Sequence, residues 1–283
     1  PSFTRVSSTR EALDLLGRDD SFDFILTMYN VGELDVFTFA KIVKERHPNT
    51  PVALLTSFSK DIYRRIEEQD RSGLDYIFSW HGNTELIIAI IKLIEDKMNA
   101  DEDIREGGVQ AILLVEDSIR FYSTYLPEIY KLLLLQNTEF LKDAFNEQQQ
   151  VLRKRARPKI LLARCYEEAV ELYERYKKNL LGVISDVDDT IMVTQAPRLM
   201  KAAYNLLLLN PRKKVPVASM NLLFNRIADM FPAAPFFYLS TSPWNVESSI
   251  RHFITNHGFP EGPLLLRDLD RFADATARMD SQG

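Results

Sequence analysis

Residues 22–56 read FDFILTMYNVGELDVFTFAKIVKERHPNTPVALLT. The apolar run Phe22 to Met28 has strand length. Phe37 to Glu45 carries apolar residues at helical spacing and stops near Pro48, whose ring and missing N–H end a helix. Pro51 to Thr56 is a second apolar strand run. Strand, helix and strand in this order form the repeating unit of a parallel sheet covered on both faces.

The same alternation extends outward. Upstream, Phe3 to Val6 reads as a short strand. Ser8 to Leu16 reads as a helix with a Ser/Thr start and apolar Ala12, Leu13 and Leu16. Downstream, Lys60 to Glu68 is a helix, Tyr76 to Ser79 a strand, and Thr84 to Met98 a long amphipathic helix. Asp101 to Gly108 is polar and carries Gly107-Gly108, a linker signal. The expected organisation is thus a domain over residues 1–100, a linker over 101–108 and a second α/β part over 109–283. In that part, Ala111 to Val115 is a strand ending in Glu116-Asp117. Ile119 to Arg155 is a long helical stretch, either two helices or one projecting arm. Lys159 to Ala163 is a strand, Tyr166 to Lys177 a helix, and Leu180 to Ser185 the strand that delivers Asp186. Helices at Leu199 to Leu209 and Ser219 to Met230, a strand at Pro235 to Leu239, a helix at Val246 to Asn256 and a strand at Pro263 to Leu266 complete the pattern.

Composition bounds the function. The 283 residues suffice for about two domains of roughly 100–200 residues each. Hydrophobic residues at 46% and charged residues at 27% fit a globular chain with a core. A net charge of −5 gives no electrostatic basis for a nucleic-acid partner. Cys165 is the sole cysteine, which excludes an intrachain disulfide and fits a reducing, cytoplasmic setting. No apolar run approaches the roughly 18 residues of a membrane span. The start at Pro1 and the polar tail Asp280 to Gly283 read as the ends of a fragment.

Residues 1–100 resemble a response-regulator receiver domain entered at its second strand, and the resemblance rests on residues 22–56. In receivers the third strand ends in the phosphorylated Asp; here that position is Met28, whose thioether cannot accept a phosphoryl group. The family's Thr is present as Thr56, its Lys position is Trp80, and its first strand, with the acidic Mg²⁺ pair, is missing. The resemblance implies a pseudo-receiver used for interaction or dimerisation, with Thr56 an idle strand-end hydroxyl. The same stretch, including LIIAIIKLIEDKMN at 86–99, is also similar to the receiver-like region before the phosphoenolpyruvate/pyruvate-binding domain of some large bacterial proteins. That likeness carries no catalytic residue over.

Residues 109–186 resemble the first half of another receiver. VQAILLVEDS at 109–118 puts Glu116 and Asp117 after the first strand, and NLLGVISD at 179–186 puts Asp186 after the third. An acidic pair after a strand serves equally as the first turn of a helix.

From Gly182 onward the resemblance changes. GVISDVDDTI at 182–191 matches the Asp-x-Asp-x-Thr motif of haloacid-dehalogenase-type phosphatases. FFYLSTSPWN at 236–245 and NHGFPEGPLLLRD at 256–268 follow. Together these phrases resemble the catalytic domain of the actin-patch-associated phosphatidate phosphatases over Leu181 to Arg271. The resemblance implies Asp186 as nucleophile and Mg²⁺ ligand, and Asp188 as general acid/base with its backbone carbonyl on the metal. Thr190 would hold the loop and Ser240 would hydrogen-bond a phosphate oxygen. A carboxylate attacking phosphorus splits one hard step into two, and Mg²⁺ neutralises the oxygens involved. Asp188-Asp189-Thr190 also reads as an Asx turn opening a helix. Three acids within residues 186–189 are nevertheless costly without a cation.

The family continues into a Lys motif and a further acidic motif that completes its metal site, and this chain stops at Gly283 before either. By that pattern the site is incomplete. A substitute is expected from the strand Ala111 to Val115: if it neighbours the Asp186 strand, Glu116 and Asp117 stand beside Asp186 as the missing metal acids. Arg267 would then supply positive charge to the phosphate, or pair with Asp268 or Asp270 on the surface.

Elsewhere the signals are weaker. His47, His81, His252 and His257 lack metal-ligand spacing. Trp244 either walls the pocket or belongs to the core. Tyr122, Tyr125 and Tyr130 form a packing stripe. The basic run Arg153, Lys154, Arg155 and Arg157 is a solvated helix end or a peripheral contact with anionic lipid. The expected function is therefore a Mg²⁺-dependent phosphatase acting on a phosphorylated small molecule or lipid. The alternatives are a receiver-type signalling protein phosphorylated on Asp186 and an inactive truncated or fused fragment.

Overall fold

The computed structural model describes residues 3–19, 21–57, 59–142, 157–193, 215–232, 234–242 and 244–266. The chain divides into two compact units, Pro1–Glu95 with Ser118–Leu135, and Asp96–Asp117 with Gln136–Gly283. Each contains a parallel sheet with helices, the α/β class expected from the alternation.

The first unit's elements are α1 (Thr9–Leu16), β1 (Ile25–Met28), α2 (Val36–Arg46), β2 (Val52–Ser57), α3 (Lys60–Glu68) and β3 (Tyr76–Trp80), followed by α4 (Glu85–Met98). Its strands pair in parallel in the order β1-β2-β3. Local chemistry sets the helix starts. Ser8 Oγ accepts the Glu11 N–H at 3.2 Å, and the Glu11 carboxylate accepts the Ser7 N–H at 2.8 Å. Asp35 accepts the N–H groups of Phe37 and Thr38 at 3.0 and 2.9 Å. Helix α2 is apolar over a wide face. Phe39, Ala40 and Val43 pack with Leu16 and Val52, while Val36 and Phe37 pack with Leu54, Ile66 and Ile77. The first part of α5 (Ile119–Lys142) joins this unit: Tyr122 Oη donates to the Ile77 carbonyl, and Ser123 Oγ accepts the Ser79 N–H at 2.9 Å.

The second unit contains β4 (Ala111–Val115), β5 (Lys159–Ala163), α6 (Tyr166–Tyr176), β6 (Leu180–Asp186), β7 (Met192–Val193), β8 (Val215–Pro216), α7 (Met220–Met230), β9 (Phe236–Ser240), α8 (Glu247–Asn256) and β10 (Leu264–Leu266). Five strands form one parallel sheet in the order β10-β9-β6-β4-β5. Both faces are covered, which is why β4 reads as an unbroken apolar run. The core draws Leu113, Val115, Leu161, Val183, Phe224, Phe236, Tyr238, Ile250 and Phe253 into one cluster. A buried ion group lies at the amino-terminal end of β5. Arg157 grips Asp96 through two bonds of 2.6 and 3.0 Å, and Lys159 Nζ lies 2.6 Å from Asp103 Oδ2. At Gly262 a Cβ would sit 2.0 Å from the Phe236 carbonyl oxygen, so only glycine lets the chain enter β10 beside β9.

Counting from β4, the sheet order is second, first, third, fourth, fifth, the doubly wound arrangement of flavodoxin-like folds. The chain goes from β4 to one edge of the sheet, then returns past β4 to build the other. Ligands of such sheets bind at the carboxyl ends of the strands where the order reverses, here β4 and β6.

Some local expectations differ from the structure, and for others the structure adds detail or describes no residues. Phe3 to Val6 has no regular structure; Phe3 is 70% exposed, and four residues without a neighbouring strand have no ladder to satisfy them. The stretch read as a linker carries a π-helical turn at Asp101–Glu106 with Asp103 and Ile104 buried. The helix from Ile119 is continuous to Lys142 despite Pro127. The basic residues 153–155 and the helix expected at 199–209 lie outside the described residues. The antiparallel pair β7–β8 was not anticipated, because two-residue strands carry no periodic signal.

Candidate active site

The site begins with register. Val115 pairs with Ser185, and Asp186 pairs with Leu239. Glu116 is therefore level with Asp186 on one neighbouring strand, and Ser240 lies one residue beyond it on the other. The apolar run of β6 carries Asp186 to the carboxyl edge of the sheet and leaves it 2% exposed. Glu116 is fully buried and Asp117 is exposed. Carboxylate oxygens of Glu116, Asp117 and Asp186 all lie within 4.8 Å of one another.

That crowding has an electrostatic consequence. Burial, together with the charges of Glu116, Asp188 and Asp117, pushes the Asp186 carboxyl up to about 10; a hydrogen bond from the Val187 backbone opposes the rise. Asp186 Oδ1 is buried and has no hydrogen-bond partner among the described residues. A buried carboxylate oxygen in this condition calls for a proton or a cation. The donor set fits a small, hard divalent ion: it offers carboxylate oxygens only, with one member exposed on the solvent side.

The loop after β6 is tied at both ends. The Val187 N–H donates to the Leu239 carbonyl at 2.9 Å, and the Met192 N–H to the Val187 carbonyl at 3.0 Å. Val187 and Ile191 are fully buried and anchor the turn in the core. Asp189 takes the left-handed conformation at φ 62°, which Asp tolerates better than most residues. Asp188 is thereby left part-exposed, and Ser240 Oγ donates to its Oδ2 at 3.0 Å. Ser240 Oγ in turn accepts the Ser242 N–H at 3.1 Å. Thr190 Oγ1 and Ser242 Oγ are buried without a hydrogen-bond partner among the described residues.

The structure thus brings Asp186, Glu116 and Asp117 together and links Ser240 to Asp188. Thr190 is buried in the same loop, with its hydroxyl unpartnered among the described residues. Arg267 lies outside the described residues. Trp244 is 56% exposed in a turn at Trp244–Val246, while Tyr122 and Tyr130 are core residues, as a packing stripe requires. Ser242 was missed. Its only signal in the sequence was a second serine two residues past the strand end. No His belongs to the acidic cluster, and none of the described helices is long and apolar enough to cross a membrane.

Residues 181–282 match the family model described as phosphatidate phosphatase APP1, catalytic domain. No curated protein matches the chain. The matched stretch contains β6, β9 and β10 with Asp186, Asp188, Ser240 and Ser242, and leaves out β4 and β5. Glu116 and Asp117 therefore come from outside the matched stretch, yet their strand adjoins β6 in the same sheet.

Proposed function

We propose that the carboxyl edge of the second sheet hydrolyses a phosphomonoester by phosphoryl transfer to Asp186, with phosphatidate as the substrate class implied by the family match at 181–282. The observation that carries the reading is the buried Asp186 carboxylate, unpartnered at Oδ1 among the described residues and crowded by Glu116 and Asp117, with a second carboxylate two residues on, Asp188, held by Ser240. Asp186, Glu116 and Asp117 would hold a divalent cation, Mg²⁺ by the chemistry of the donors; when bound it supplies the positive charge that keeps Asp186 ionised and neutralises phosphoryl oxygens.

Asp186 attacks phosphorus as a carboxylate, an acyl-phosphate bond forms, and the ester P–O bond breaks. Asp188 gives its proton to the departing alkoxide. It then takes a proton from the water that opens the acyl phosphate, so Asp186 is regenerated and inorganic phosphate leaves. Burial of Asp186 on three packed strands keeps the nucleophile in one orientation.

A second reading has one observation in its favour. The doubly wound strand order, with an acidic pair after the first strand and an Asp after the third, also suits a phosphoacceptor that switches partner binding. The two readings separate in one experiment. Protein with Mg²⁺ is assayed on phosphatidate and on p-nitrophenyl phosphate, and separately labelled with acetyl phosphate, wild type beside Asp186→Asn. Mg²⁺-dependent turnover lost in the variant supports the phosphatase. Stoichiometric labelling without turnover supports the phosphoacceptor. Turnover that survives Asp186→Asn, or failure of both assays, sinks the assignment of Asp186.

A further inference from the structure

A serine hydroxyl offers one proton to donate and lone pairs to accept. Ser240 spends its proton on Asp188 Oδ2 and accepts the Ser242 N–H. It has no second proton for a phosphoryl oxygen. Ser242 is the reverse case: it is 3% exposed, and its Oγ has no hydrogen-bond partner among the described residues. A buried hydroxyl left in this state is destabilising until a partner arrives. Its own backbone N–H is tied to Ser240 Oγ, so two hydrogen bonds in sequence connect the Ser242 backbone to the Asp188 carboxylate.

We infer that the two serines after β9 divide the work of this site: Ser240 is a positioning residue that orients the proton-transferring carboxylate of Asp188, and Ser242 is the hydroxyl that donates to a phosphoryl oxygen. The inference rests on the phosphoryl-transfer reading of Asp186. It assigns a phosphate-binding role to Ser242 and moves Ser240 away from the role expected of the strand-end serine. The two-residue spacing explains the division. Ser240 closes β9 and is fixed by the strand, one residue past the Leu239 that pairs with Asp186 and within hydrogen-bond reach of Asp188. Ser242 lies past the strand end, where the chain turns toward Trp244–Val246 and α8.

The two roles predict different defects. Orientation of a proton donor matters most when the leaving group is a poor one. Ser240→Ala should lower kcat on an alkyl phosphate by roughly 10²-fold while costing p-nitrophenyl phosphate, whose phenolate leaves without protonation, only a few-fold. Ser240→Thr, which keeps the hydroxyl, should restore much of the alkyl phosphate rate. Ser242→Ala should weaken inorganic phosphate binding by roughly tenfold in calorimetry with Mg²⁺ present, and should raise KM for both esters alike. Circular dichroism of each variant separates unfolding from loss of function, and Ser242→Thr serves as the conservative control. Equal losses on both leaving groups for Ser240→Ala, or unchanged phosphate affinity in folded Ser242→Ala, overturn the division. The phosphate measurement needs no turnover. If wild type binds phosphate through Ser242 but hydrolyses nothing, the phosphatase reading fails while the Ser242 assignment stands.

Discussion

The two sheets of this chain are built alike and end differently. Both are parallel, both are covered by helices, and both carry apolar runs to a carboxyl edge. In the first unit those runs deliver Met28, Ser57 and Trp80. In the second they deliver Glu116 and Asp117, Asp186, and Ser240. The strand order also differs. The first sheet runs β1-β2-β3 without a reversal, whereas the second reverses between β4 and β6 and brings its acids together there. Sheet construction alone therefore makes no acidic cluster; the candidate site arises where an order reversal is combined with strand-end carboxylates.

The strongest way to break this comparison is to neutralise the second edge. Asp186→Asn removes the proposed nucleophile and should lower turnover by at least about 10⁴-fold, as loss of a covalent nucleophile does elsewhere. The same variant removes a crowded buried carboxyl that must keep a proton in the folded state, so the metal-free protein should melt at an equal or higher temperature than wild type. A folded variant retaining wild-type kcat would put the chemistry elsewhere. Glu116→Gln is the next step down. With one of the proposed charged ligands gone, Mg²⁺ affinity measured by calorimetry should fall roughly 10–100-fold. Unchanged affinity would remove β4 from the site and reduce the second edge to the stretch matched by the phosphatase family.

The pH dependence sharpens the contrast further. In metal-free protein Asp186 stands at about 10, against 3.8 for the unperturbed carboxyl. Between those values the folded state holds a proton that the unfolded state has released. Stability therefore falls as pH rises through this window, by at most about 1.4 kcal/mol per pH unit for one proton. Melting temperatures in EDTA should decline from pH 5 to pH 9, and Asp186→Asn should flatten that decline. Mg²⁺ should flatten it in wild type as well, because the cation replaces the proton. A decline that persists unchanged in Asp186→Asn would trace it to other groups.

What could be read beforehand follows the same divide. Strands such as β4 and β6 announce themselves because sheets covered on both faces need continuous apolar runs, and an Asp at the end of such a run is conspicuous. The adjacency of β4 to β6 is expected only by analogy with the two resembled families, and the register is what puts Glu116 level with Asp186. Helical periodicity says which face of α5 is apolar but not what that face meets, so the grouping of residues 118–135 with the first unit was invisible. Ser242 was invisible for a related reason. A hydroxyl gains meaning only from the partners around it, and the bond that commits Ser240 to Asp188 is a fact of three dimensions. Phe3 to Val6 failed in the other direction, since β-type residues form a strand only beside another strand.

The smallest expected effect is the most direct probe of the comparison. Met28→Asp writes into the first edge the residue type that the second edge uses. Met28 is 62% exposed at the end of β1, so the change should alter stability by no more than about 0.5 kcal/mol. The new carboxylate would be solvated rather than buried, and the paired strand ends at Ser57 with no acid to share a cation. It should therefore bind no additional Mg²⁺ in calorimetry and take no label from acetyl phosphate. If Met28→Asp did gain a Mg²⁺-dependent label, an aspartate at a parallel strand end would suffice by itself, and neither the strand reversal nor the company of Glu116 and Asp117 would be needed to explain the reactivity proposed for Asp186.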